Sequence, residues 1–267
     1  MLRDITLGQY FPGDTVVHRL DPRTKLIMVV VYLVGVFSSG SAVTLGIMAG
    51  FLGLVVYLSK TKVCLLVRGL RPLAIILVFT GSINIFLTPG EPIFQVWILT
   101  ATYEGLRHAS VLLARIGLMV MGTFILTYTT SPMNLTDGLE MLLGPLKRLR
   151  VPVHELAMIM NMALRFVPTL LEETDKIMSA QKARGADFES GNILRRGKAM
   201  IPLLIPLFMS AFRRADELAV AMESRCYHGG EGRTRMRQLQ LELRDALAGL
   251  VGLLLLGGII TLGVLGV

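Results

Sequence analysis

AVTLGIMAGFLGLVVYL, residues Ala42 to Leu58, runs for seventeen positions without a charge. A helix needs roughly 20 mostly apolar residues to cross about 30 Å of hydrocarbon, so this run reads as a membrane span. Its flanks agree. The small polar turn Ser38-Ser39-Gly40-Ser41 precedes it, and Lys60, Lys62, Arg68 and Arg71 follow.

Similar runs lie on either side, at Leu26 to Phe37, Leu73 to Leu87, Ser110 to Tyr128 and Ala246 to Val267. The first is short alone and is extended by its flanks. The whole chain matches this pattern, with 53% hydrophobic residues and a mean hydropathy of +0.62, well above a soluble domain. The expected fold class is therefore an all-α polytopic membrane protein of about five transmembrane helices, with a cytosolic helical domain built on two long helices.

Charge orients the spans. Lys and Arg crowd the first 25 residues (Arg3, Arg19, Arg23, Lys25) and the connection after the second span, whereas Ser38 to Ser41 and Thr88 to Tyr103 carry none. The positive-inside bias then predicts a cytosolic N-terminus and an outward C-terminus. Thr129 to Asp245, with 17 of the 27 Lys and Arg, falls on the cytosolic side. Three parts follow: a membrane domain over 1–128 with four spans, a coupling domain over 129–244 and a transmembrane helix over 245–267. The formal charge of +8 recurs in blocks between apolar runs rather than on one basic face, which argues for membrane topology and against nucleic acid.

Met1 to Tyr10 has no apolar core before a small-residue cleavage site, so no cleavable signal peptide is expected. Cys64 and Cys226 both fall on the cytosolic side and predict no disulfide. On the outer side, Pro89, Gly90 and Pro92 break the helix, and Ile93 to Leu99 suits an extended segment near an aromatic belt of Trp97 and Tyr103.

The cytosolic region carries the specific signals. Pro132 is placed to start a helix through Leu135, Leu139, Leu142 and Leu143, and Pro145 and Pro152 bracket the basic stretch Leu146 to Arg150, whose cations suit anionic headgroups. A longer helix is expected over Val153 to Ala183, with the stripe Leu156, Met160, Ala163, Val167, Leu170, Thr174, Ile177, Gln181 and Arg184 stepping by four and three. Gly185 supplies its C-cap, and Pro168 predicts a kink. Beyond a loop over Ala186 to Asn192, Met200 to Phe212 reads as apolar and broken by Pro202 and Pro206, after which Ala211, Ala215, Leu218, Met222 and Arg225 repeat the pattern.

Two helices thus stop in small-Arg-small tripeptides, Ala183-Arg184-Gly185 and Ser224-Arg225-Cys226, with the arginines 41 residues apart. A cation in a last helical turn complements the macrodipole, so one such ending is ordinary capping; a pair reads as an approximate internal repeat. Met158, Met160, Met162, Met178, Met200, Met209 and Met222 serve either as core filling or as an adaptable docking surface. Arg115 lies inside the fourth span, where burial is costly, and has to face a polar cavity, another chain or the interface. His18, His108, His154 and His228 lack metal-ligand spacing. No phosphate-binding loop, HExxH or G-x-S-x-G is present, so no catalytic and no metal site is predicted.

Four motifs in order, Leu20-Asp21-Pro22-Arg23-Thr24-Lys25-Leu26, Ala163-Leu164-Arg165-Phe166-Val167-Pro168, Ala180-Gln181-Lys182-Ala183-Arg184-Gly185 and Ala221-Met222-Glu223-Ser224-Arg225-Cys226-Tyr227, resemble the transmembrane T component of energy-coupling factor transporters, a branch of ABC-type importers. The resemblance spans nearly the whole chain.

The resemblance implies that Ala183, Arg184 and Gly185, and Ser224, Arg225 and Cys226, dock in two ATP-binding subunits forming a hetero- or homodimer. It also implies that the two helices hold a small membrane S component carrying a vitamin or transition-metal ion. This chain would bind no cofactor itself, since ATP and Mg belong to the partner ATPases. Pro168, Pro202 and Pro206 are candidate hinges, lipid is a further partner, and the location is the prokaryotic cytoplasmic membrane. Ser-Arg-Cys departs from the family's usual Ala-Arg-Gly and puts the second cap in doubt. Alternatives are a conventional ABC permease with its own substrate path, or a membrane scaffold or enzyme.

Overall fold

The computed structural model describes residues 10–89, 92–96, 99–188, 192–230 and 239–264. They form two compact units, one of Gly8–Leu142 with Gln238–Val267 and the other of Leu143–Arg237.

The first unit runs α1 (Val16–Arg19), α2 (Pro22–Ser38), α3 (Ala42–Ser59), α4 (Val63–Leu70), α5 (Ala74–Leu87), β1 (Pro92–Val96), β2 (Leu99–Thr102), α6 (Tyr103–Thr129) and α7 (Pro132–Leu142), and is completed by α10 (Leu243–Val264). Among the described residues four stretches are long and apolar enough to cross a membrane: Ala42–Ser59, Val63–Leu87, Tyr103–Thr129 and Leu243–Gly263. The second of these joins α4 and α5 through a 3₁₀ turn at Arg71–Leu73. The first expected span, Leu26 to Phe37, lies in α2, whose 17 residues reach about 25 Å and which is not among these four. The protein is an all-α polytopic membrane protein, with one small hairpin in which β1 pairs antiparallel with β2, Gln95 opposite Thr100. Ile93 to Val96 and Leu99 are thus extended as expected, and Trp97 lies outside the described residues.

Caps set the helix starts. Ser41 and Thr44 form a reciprocal capping box at α3, so the polar turn read between two apolar runs is also a helix signal. The α3 residues Leu45, Met48, Leu52, Val56 and Ser59 are buried at three- and four-residue steps, with Thr44 buried beside the first, while Ile47, Leu54, Tyr57 and Leu58 stay exposed. A helix with one packed stripe and an apolar outer face is what a lipid solvent permits. The core gathers Tyr32, Val36, Met48, Leu66, Ile125, Tyr128 and Ile259. Gly122 lets α6 approach α2 closely, since a Cβ there would lie 2.4 Å from the Tyr32 ring.

One end of this bundle is tied by the Asp-Pro-Arg-Thr-Lys motif. Asp21 caps α2 by accepting from the Arg23 amide at 2.9 Å, with Pro22 at the first helical position. The Asp21 amide donates to Asp245 Oδ1 at 2.8 Å, and the Glu242 amide donates to Asp245 Oδ2 at 2.9 Å. A single carboxylate near the start of α10 therefore serves the entrances of two helices. Arg23 donates to the Leu239 carbonyl at 2.8 Å, and Lys25 Nζ donates to the carbonyls of His18 and Thr129 and to the Thr130 hydroxyl. Arg115 donates to the carbonyl of Ser39 at the C-cap of α2. The intramembrane arginine thus offsets the negative end of a helix dipole within the same unit.

The second unit holds a 3₁₀ segment (Gly144–Leu149), α8 (Val153–Ala183) and α9 (Ile193–Ser224). α8 has the bounds expected from Pro152 and Gly185. α9 corrects one expectation: it continues through Pro202 and Pro206 instead of breaking. These prolines stand four apart, so the carbonyls deprived of an i+4 amide, those of Lys198 and Pro202, open on the same face. The opposite face retains its hydrogen bonds.

Candidate coupling site

The two arginine endings have the same backbone construction. At the end of α8 the Gly185 amide donates to the Lys182 carbonyl at 3.0 Å and the Ala186 amide to the Gln181 carbonyl at 3.0 Å. At the end of α9 the Cys226 amide donates to the Glu223 carbonyl at 2.9 Å and the Tyr227 amide to the Met222 carbonyl at 3.1 Å. Each set is the 5→2 and 6→1 pair of a Schellman cap. The left-handed residue is Gly185 in one (φ +86°) and Cys226 in the other (φ +55°). Cysteine in place of glycine leaves this geometry intact and carries a steric cost of about 1–2 kcal/mol for a side chain in that region.

Ala183, Arg184, Gly185, Ser224, Arg225 and Cys226 are all exposed. Among the described residues neither Arg184 nor Arg225 has an ion-pair partner. Each therefore presents a charged planar fork suited to a carboxylate.

Further back, α8 and α9 pack on one another, and Arg214 Nη2 lies 3.1 Å from Glu173 Oε2. The Ser210 hydroxyl bonds the same carboxylate and, with Arg214, holds the Glu173 acid below its ordinary range. Glu173 and Arg214 are separated by 41 positions, the offset between Arg184 and Arg225. The repeat read at the helix ends thus extends to a contact between equivalent positions. Neither residue stands out in the sequence by itself; the 41-residue offset between the two arginine endings is the signal that could have paired them.

The expected stripe of α8 is mixed, with Leu156 and Met160 exposed and Val167, Leu170 and Ile177 half-buried. In α9 the apolar side chains are mostly outward: Met200, Leu204, Ile205, Phe208, Met209 and Phe212 are exposed, and Leu203 is buried. None of the seven methionines singled out in this region is buried. Pro168 sits inside α8.

Fold and site together define a class, a polytopic helical membrane subunit with a paired-arginine helical unit. Residues 13–236 match the model of the CbiQ family, described as cobalt transport protein. The energy-coupling factor transporter transmembrane protein EcfT of Acidaminococcus fermentans is 54% identical over 255 residues, covering 96% of this chain and 95% of that protein. The proteins of the same name from Thermosediminibacter oceani and Lactococcus lactis subsp. cremoris are 51% and 46% identical, over 97% and 92% of this chain and 98% and 93% of theirs. The chain belongs to this family of energy-coupling factor transporter transmembrane proteins, the T components.

Proposed function

We propose that this T component couples ATP hydrolysis by two partner ATPase subunits to movement of a membrane S component, which carries a vitamin or transition-metal ion inward. The observation that carries the reading is the matched pair of Schellman-capped, exposed arginine ends. Arg184 and Arg225 each enter an acidic groove of one ATPase, where a guanidinium keeps its charge on desolvation. The small flanks Ala183, Gly185, Ser224 and Cys226 allow close approach. ATP and Mg bind the ATPases.

The outward apolar face of α9 supports S-component docking, because exposed apolar surface of this extent on a charged helix marks an interaction site. Pro168, Pro202 and Pro206 are the flexing points through which movement of the helix ends reaches that face. The charge pattern supports a cytosolic N-terminus, with both arginine ends on the cytosolic side of a prokaryotic membrane.

The test is co-purification in mild detergent of the intact chain and of Arg184→Glu with Arg225→Glu, followed by ATP-driven uptake. Loss of both ATPases with the S component retained is expected. Full ATPase retention and normal uptake in the double variant would sink the proposal.

A further inference from the structure

Within the first unit, a cavity of about 380 Å³ opens at the end of the bundle that carries Asp21 and Asp245. Its walls come from one level of several helices: Met28 of α2, Val55 and Leu58 of α3, Leu126 of α6, and Leu247 and Val251 of α10. Among the described residues two charged side chains line it, Lys25 and Arg244, both cationic, and no carboxylate does.

Those cations differ in availability. The ammonium of Lys25 has three donors, and they are directed at the His18 carbonyl (3.1 Å), the Thr129 carbonyl (2.9 Å) and the Thr130 hydroxyl (3.3 Å). The Arg244 side chain is 49% exposed; its Nε lies 3.6 Å from an exposed Glu242 carboxylate, and no contact of its terminal nitrogens is recorded among the described residues. Among the described residues Arg244 is therefore the more available of the two cations lining this apolar chamber, being exposed and paired only through Nε with an exposed carboxylate.

We infer that this cavity holds one acyl chain of an anionic phospholipid, with the lipid phosphate bound by Arg244. An apolar tail joined to an anionic head matches a greasy wall with a cation at its rim, and membrane depth supplies such molecules directly. A buried protein segment would need partners for its backbone amides and carbonyls, and the wall is almost wholly apolar. The orientation proposed above enters only in assigning the lipid to the cytosolic leaflet.

The test uses the full chain, delipidated in detergent and titrated separately with dioleoyl phosphatidylglycerol and dioleoyl phosphatidylcholine, with bound lipid counted by native mass spectrometry. One phosphatidylglycerol is expected to bind in preference to phosphatidylcholine. Ala248→Trp, which fills the chamber, abolishes that binding, and Arg244→Gln weakens it about fivefold, the contribution of one basic residue at an anionic surface. Arg244 is exposed, so this variant remains informative if Ala248→Trp does not fold. Equal binding of the two lipids, or phosphatidylglycerol binding unchanged in Arg244→Gln, overturns the inference. The readout involves neither ATPase nor transport, so its failure and that of the coupling proposal are told apart.

Discussion

Glu173 and Arg214 meet at 3.1 Å, and each stands eleven residues ahead of the arginine that ends its helix, Arg184 or Arg225. About 16 Å of helix therefore separates the cross-link from either end. The two ends behave as arms of similar length extending from one clasp.

Breaking the clasp should loosen both arms together. Glu173→Gln and Arg214→Met each lower amide protection over the distal halves of α8 and α9, and the double variant loses no more than the worse single one. Exchanging the charges, Glu173→Arg with Arg214→Glu, recovers part of the protection. Independent, additive losses measured by hydrogen exchange would show that the pair is not a shared clasp.

Acid should release the same contact. The bonds from Ser210 and Arg214 lower the pKa of Glu173 in the folded chain, so the folded state binds fewer protons than the unfolded one in the window below the ordinary glutamate value near 4.5. The stabilisation is complete above that value and fades as pH falls through the depressed one. Exchange protection across α8 and α9, compared at neutral pH and near pH 3, should fall further in the intact chain than in Glu173→Gln.

The two caps should answer substitution unequally. Gly185→Ala places a side chain at φ +86° and weakens the last turn of α8 by about 1 kcal/mol. Cys226→Ala is close to neutral, because that cost is already present at φ +55°, and Cys226→Gly tightens the last turn of α9. Opposite responses at the two helix ends, followed by amide exchange, are the expected pattern.

Removing the Asp245 carboxylate should be felt at both helix entrances it serves. Asp245→Ala leaves the amides of Asp21 and Glu242 without their acceptor and costs about 2–4 kcal/mol. A lowered thermal midpoint in detergent, with early exchange at the start of α2 as well as α10, would confirm the double role. A change confined to α10 would refute it.

Much of this was legible in the sequence because it is local. Pro152 and Gly185 bracket α8 at its observed bounds, and Ser41 announces α3. What escaped was non-local or depended on degree. Asp245 is unremarkable until it is seen to accept from an amide 224 residues away. Arg115 was restricted to a few surroundings, and the choice fell on the carbonyl end of α2. Pro202 and Pro206 read as breaks because each proline is judged singly, whereas four-residue spacing puts both defects on one face and leaves α9 continuous.

The Asp21–Asp245 bond also imposes a timetable on biogenesis. α2 is among the first helices to emerge from the ribosome, yet its entrance is completed by a carboxylate synthesised 224 residues later, roughly 10–45 s at ordinary elongation rates. During that interval the Asp-Pro-Arg-Thr-Lys segment is an unfinished joint, with Arg23 and the Asp21 amide awaiting Leu239 and Asp245. Closure of this end of the bundle therefore waits on the synthesis of α10, however early α2 has formed.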